Sequence, residues 1–132
     1  MSIAVLLSIK AEFVKSIFSG KKTFEFRKTI FKDRSIRKIY VYASAPISMV
    51  VGAFYIDEII QHHPELLWKK TSEGAGITEE YFNNYFADRV VGYALRVGKV
   101  QLFDKPFDLE RMFGIPHPPQ SFRYVPILAD DL

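Results

Sequence analysis

The chain has 132 residues, 48% of them hydrophobic and 25% charged, with no cysteine and a formal net charge of +3. That length and apolar content suit one domain able to bury about two-thirds of its unfolded surface, and they exclude wholesale disorder. The missing cysteines exclude disulfide scaffolds, thiolate-held zinc, iron–sulfur clusters and thiol catalysis, and no run reaches the ~18 apolar residues of a membrane span.

Taken in chain order, Ile3–Ile9 reads as a buried strand. The apolar N-terminus stops at Lys10 without the charged leader and cleavage site of a signal peptide, so a cytoplasmic protein is expected. A short amphipathic helix follows over 11–19, with Phe13, Val14, Ile17 and Phe18 on its apolar face and Gly20 at the position of a helix-ending glycine. Thr23-Phe24-Glu25-Phe26-Arg27 alternates with period two, which puts Thr23, Glu25 and Arg27 on one face of a half-buried strand. A basic loop over 28–38 leads into a strand over 38–43, closed by Ser44-Ala45-Pro46. A long apolar strand over 49–60 carries Gly52, where a bulge or bend is expected. Pro64 opens a helix through Trp68, and Thr78 caps a second helix whose stripe Tyr81, Phe82, Tyr85 and Phe86 is expected in the core. A strand over 90–103, broken by Gly98 and ended at Asp104-Lys105-Pro106, precedes a short helix over 108–113 and a proline-rich tail.

Helices and strands do not alternate regularly, so a doubly wound parallel sheet is not expected. The pattern predicts an α+β fold: a small, partly closed, mostly antiparallel β-barrel with capping helices. No repeat or linker divides the chain, and residues 1–132 read as one domain with a core over about 3–103 and an extension over 104–132.

Charge is unevenly placed. Residues 1–40 hold ten Lys/Arg against three acids, a balance of +7, and the remaining residues hold eight against twelve, a balance of −4. Such asymmetry is the electrostatic footprint of a polyanion partner, although a solvated basic surface reads equally well from charge alone, and a site for an acidic protein partner is a third, weaker reading.

Gly20-Lys21-Lys22-Thr23-Phe24-Glu25-Phe26-Arg27 is the most informative stretch. Lys22 stands at the mouth of a strand where it can reach a phosphate or a base carbonyl. Glu25 can accept from an exocyclic amine or a ribose hydroxyl, and Arg27 can donate a bidentate fork. The plain alternative is a surface Glu25–Arg27 ion pair worth less than ~1 kcal/mol. In the tail, Gln120 can read a base edge, Arg123 can hold phosphate, Tyr124 can stack, and Ser121 adds a hydroxyl, unless the segment simply packs along the barrel. Tyr42, sharing a strand face with Tyr40, and Ser44 in the following turn are further candidates, with a core role equally open for the tyrosines. His62, His63 and His117 lack acidic partners at ligand spacing, so no metal is expected. Gly74-Ala75-Gly76 lacks the preceding strand of a dinucleotide loop, and no cofactor is expected.

Ser8-Ile9-Lys10, the helix ending in Phe18-Ser19-Gly20, and the pattern Gly20-x-Lys22-x-x-Glu25-x-Arg27 together resemble the ASCH domain, a family of the PUA-like superfamily of small β-barrels. The resemblance extends through 39–43, Val51-Gly52 and Tyr93-Ala94, and Pro118–Tyr124 is similar to a tail of one microbial subset. It implies a cleft beside the first helix, lined by Gly20, Lys22, Glu25 and Arg27, that binds RNA or a modified nucleoside or nucleotide, in translation or RNA-linked regulation. Some members resemble amidohydrolases of acetylated cytidine and others are linked to ribonuclease activity. The amidohydrolase-like members carry a threonine where this chain has Glu25, so a binding module ranks first. The alternative is a small hydrolase in which Lys22 works with Glu25, Glu73 or Glu58, and a lysine base requires a pKa lowered by burial.

Overall fold

The computed structural model describes residues 2–128, and its frame follows from which strands are apolar on both faces. In β1 (Ile3–Ile9) Val5, Leu7 and Ile9 enter one apolar cluster while Ala4 and Leu6 enter another. β3 (Lys38–Ala43) divides its side chains the same way, Ile39, Val41 and Ala43 against Tyr40 and Tyr42. These two strands pair in parallel, and their unbroken apolar runs are what burial on both faces requires.

Six strands form one sheet in the order β2-β5-β4-β3-β1-β6, with every pair except β1–β3 antiparallel. The sheet does not close: β2 (Phe24–Arg27) is one edge and β6 (Phe122–Pro126) the other. The long pair β4 (Met49–His62) and β5 (Gly92–Phe107) spans its middle. Register shifts fall between Val50 and Gly52 and on both sides of Ile56, giving the irregularity expected at Gly52. A β-carbon at Gly52 would collide with the Gln101 carbonyl and the Phe18 ring, so close approach of the neighbouring strand holds this position to glycine.

Two expectations need correcting. β5 runs on through Gly98 and Pro106 to pair Phe107 with Val50, rather than ending near residue 103. The proline-rich tail supplies a sixth strand, β6, whose Phe122–Pro126 pair with Leu7–Ile3 of β1. Val125 is buried there, and the Phe122 ring meets Phe31 edge-on.

Among the described residues four helices flank the sheet. α1 (Ala11–Phe18) buries Val14 and Ile17. α2 (Pro64–Thr71) starts at His63, whose Nδ1 accepts from the Glu65 N–H at 3.3 Å. A 3-10 turn (Ser72–Gly74) leads towards α3 (Glu79–Tyr85), and α4 (Leu109–Phe113) follows β5. α2 and α3 pack Leu67, Phe82 and Phe86 against Phe24 and Phe26 of β2. Thr78 caps α3, its hydroxyl accepting from the Tyr81 N–H at 3.0 Å. Thr78→Ala is expected to cost about 1 kcal/mol, read as a fall of about 3 °C in Tm.

Candidate functional site

Among the described residues β2 pairs only with β5, and β6 only with β1, so the two free edges define a seam. The alternation of β2 sends Phe24 and Phe26 into the core beneath α2 and α3, leaving Glu25 and Arg27 on the other face. Their side chains form an ion pair at 3.0 Å. Glu25 is 4% exposed, so this is no surface pair. Arg27 donates twice more: Nη1 to the Ser8 carbonyl of β1 at 3.3 Å, and Nη2 to the Ser121 carbonyl ahead of β6 at 2.7 Å. One guanidinium therefore spans the gap that no backbone pairing closes.

Lys22 enters from the turn after α1. Gly20 takes φ +84°, the Lys22 N–H donates to the Ser16 carbonyl, and the Thr23 N–H donates to the Gly74 carbonyl at 2.8 Å. These bonds turn the Lys22 side chain inward, where it is 2% exposed. Its Nζ donates to the Ala75 carbonyl at 2.8 Å and lies 5.0 and 4.8 Å from the ring centres of Phe13 and Phe26. The Gly74–Gly76 segment presses directly on this side chain: at Gly76, where φ is +68°, an added β-carbon would sit 2.5 Å from that of Lys22. Burial lowers the Lys22 pKa to about 8, with the Glu25 carboxylate acting in the opposite direction.

Around these groups lies a cavity of about 240 Å³ at the seam. Phe13 of α1 and Tyr81 and Tyr85 of α3 give it aromatic walls, Ile77 adds an apolar side chain, and Gln120 lines it from the segment before β6. Lys10 donates to the Tyr81 hydroxyl at 2.9 Å, and that hydrogen bond raises the Lys10 pKa. The Tyr85 hydroxyl donates to the Phe26 carbonyl at 3.3 Å, and burial raises its pKa. The Ser8 hydroxyl donates to the Pro119 carbonyl at 2.8 Å, a second tie between β1 and the tail. The pocket thus offers flat apolar faces, one carboxylate acceptor and cationic donors, a set that suits an unstacked base held by its edge.

Of the residues singled out in the sequence, Lys22, Glu25, Arg27 and Gln120 come together here. Ser121 contributes its carbonyl to Arg27 without lining the cavity. Gly20 and Lys21 lie exposed in the turn outside it. Tyr42 packs with Ala4, Leu6 and Val50 in the core, 7% exposed, because β3 is covered on both faces. The Ser44 hydroxyl donates to the Ile9 carbonyl at 3.2 Å, bracing the end of β1. Arg123 and Tyr124 are exposed on β6, where the Tyr124 hydroxyl accepts from the Asp33 N–H. Glu73 is exposed on the 3-10 turn, and Glu58 pairs with Arg96 at 3.2 Å on β4, so neither lines the pocket with Lys22. Tyr81 and Tyr85, expected in the core beside Phe82 and Phe86, are pocket walls instead. Their i, i+4 spacing marks a stripe separate from the two phenylalanines, and only the tyrosines carry a hydroxyl that needs a partner.

The chain is 30% identical over 125 residues to a protein named ASCH domain-containing ribonuclease from Zymomonas mobilis subsp. mobilis, covering 91% of this chain and 82% of that protein. A family model described as "Domain of unknown function (DUF365)" matches residues 2–116. The chain belongs to the ASCH domain family and carries the DUF365 domain. The crystal structure of ASCH from Zymomonas mobilis superimposes on it with a TM-score of 0.83 at 29% identity, covering 97% of this chain and 90% of that one. A mutant of the same protein gives 0.84 at 28% identity, covering 92% and 89%. A longer protein named ATP synthase subunit alpha, from Ureaplasma parvum, is 28% identical over 123 residues, which is 92% of this chain but 15% of that protein. The open six-stranded sheet with its four helices is thus an ASCH fold. Among the described residues of this ASCH chain, no helix is long and apolar enough to cross a membrane.

Proposed function

We propose that this ASCH chain binds RNA by taking one unstacked base into the seam pocket. The observation that carries the reading is the pairing, in a single cavity, of aromatic walls from α1 and α3 with the buried Glu25–Arg27 pair. The walls remove a base from water, and the charged pair reads its edge. The similarity to a protein named as a ribonuclease supports RNA as the polymer. Mononucleotides titrated by calorimetry test it. Cytidine and adenosine monophosphates are expected to bind more tightly than uridine monophosphate, because Glu25 accepts from an exocyclic amine. Glu25→Gln is expected to weaken the amine-bearing nucleotides about tenfold, the scale of one hydrogen bond to a charged group. Equal affinities of both proteins for every mononucleotide, or no binding at all, overturn the reading.

A second reading is that the bound RNA is also cleaved, and one observation favours it. Lys22, with its pKa brought to about 8, lies in the same cavity as Glu25. A lysine close to neutrality is the state in which an amine can take a proton, here from the ribose 2′-hydroxyl as it attacks the adjacent phosphorus. The 5′-oxygen then leaves with a proton from solvent, giving a cyclic phosphate end. An octamer cut by the wild-type protein and left whole by Lys22→Met supports this. An octamer left whole by both returns the chain to binding alone.

A further inference from the structure

A second concave surface of about 460 Å³ lies where the basic loop after β2 meets the segment between α3 and β5. It holds Lys28, Lys32, Arg34 and Arg89 against one carboxylate, Asp88. Two other cavities are charge-balanced by comparison. One sets Arg34 and Arg37 against Asp57 and Glu58, and another sets Lys69 and Arg89 against Glu65 and Glu79. Among the described residues none of the four cations in the basic groove has a carboxylate within ion-pair distance. The nearby Asp33 carboxylate is turned away onto Ser35, accepting from both its N–H and its hydroxyl.

Three of these cations are also held in place. Lys28 lies 4.9 Å from the centre of the Tyr85 ring, Arg34 lies 5.5 Å from that of Tyr93, and Arg89 donates to the Lys28 carbonyl at 3.0 Å. Tyr85 links the two: its side chain lines the seam pocket, and Lys28 of the groove lies over its ring. Arg27 and Lys28 are neighbours in the chain, one in each cavity. The groove and the seam pocket are therefore neighbours across Tyr85 and the Arg27–Lys28 link. Its lining also includes Val90, 76% exposed, and the hydroxyl of Thr29, so it combines apolar surface with cations rather than being a bare cluster of lysines.

We infer that this groove carries the phosphodiester backbone of the RNA strand as it leaves the seam pocket. The inference rests on the seam-pocket reading for where the strand begins, and on its own geometry for the path. Phosphates are the partner that fits, because an excess of fixed, unpaired cations binds a polyanion with release of its counterions. The exposed Arg34 guanidinium, lying over the half-buried Tyr93 ring, adds a face on which a flanking base can stack.

The test compares a single-stranded RNA octamer with a mononucleotide, using the wild-type protein and the double variant Lys32→Gln/Arg34→Gln. Both side chains are exposed, so the fold is expected to survive, checked by an unchanged Tm. Octamer affinity is expected to fall about tenfold at low salt. The slope of log affinity against log salt is expected to shrink by about 1.4, two phosphate contacts on a single strand. Mononucleotide affinity is expected to stay the same. An unchanged octamer affinity and slope overturn the inference and leave the groove to an acidic protein surface. Binding of the octamer but not the mononucleotide by the wild-type protein defeats the seam-pocket reading, while loss of octamer binding in the variant still upholds the groove. A wild-type protein that binds neither defeats both.

Discussion

Gly76→Ala is expected to destabilise the protein by about 3 kcal/mol and to lower Tm by about 10 °C, an effect out of proportion to one added methyl group. The left-handed φ of +68° costs an alanine about 1–2 kcal/mol by itself. The rest comes from contact. The new β-carbon would sit 2.5 Å from Lys22 Cβ and 2.9 Å from Lys22 Cα, atoms that no rotamer change can move aside. Gly20→Ala is the natural comparison, because Gly20 has φ +84° with nothing within 4 Å of an added β-carbon. It should show the strain alone. Thermal unfolding of the two variants side by side separates strain from contact, and equal losses would show that Lys22 is not clamped by the Gly74–Gly76 segment.

Lys22→Met is expected to change the pH dependence of stability more than its value at any one pH. The folded chain holds Lys22 at about 8 against an ordinary value of 10.5, with burial as the main cause. Between these two values the unfolded chain carries a proton on Lys22 that the folded chain lacks, so wild-type stability rises with pH across that window. Below about pH 8 both states are protonated and the full cost of burying the charge is felt. The gain from pH 8 to above 10 is about 3 kcal/mol, since each pH unit between the folded and unfolded pKa contributes about 1.4 kcal/mol. Methionine has nearly the same length and no charge, so the variant lacks this contribution. Urea unfolding at several pH values should give a wild-type minus variant difference that climbs with pH. A flat difference would mean that Lys22 is solvated.

The amino-acid sequence makes one part of the site readable and conceals the rest. Period-two alternation alone puts Glu25 and Arg27 on one face of a strand, and their 3.0 Å pair follows from it. Helix-end chemistry at Gly20 places the turn that delivers Lys22. The burial of Lys22 is not readable, because its cover, the Ala75 carbonyl, is supplied from 53 residues away. Glycines at 74 and 76, which look like loop filler, are where that cover comes close. Apolar periodicity assigns Tyr81 and Tyr85 to the core because it does not show which side of a helix meets a cavity rather than packed side chains. β6 is hidden by its prolines, although Pro126 stands at the end of an edge strand, where the lost N–H does least harm. The fold class is legible because it depends on strand count and irregular alternation. The seam is not, since strand order is a tertiary property.

The ties that Arg27 and Ser8 make to the tail give the molecule a direction in time. The Arg27–Ser121 bond joins residues 94 apart in the chain, and the Ser8–Pro119 bond joins residues 111 apart. The lysine, the glutamate and the first helix leave the ribosome before the wall carrying Gln120. A nascent chain therefore displays its basic segment before it owns a finished pocket, and the proposed recognition of a base waits until the Gln120 segment has been made.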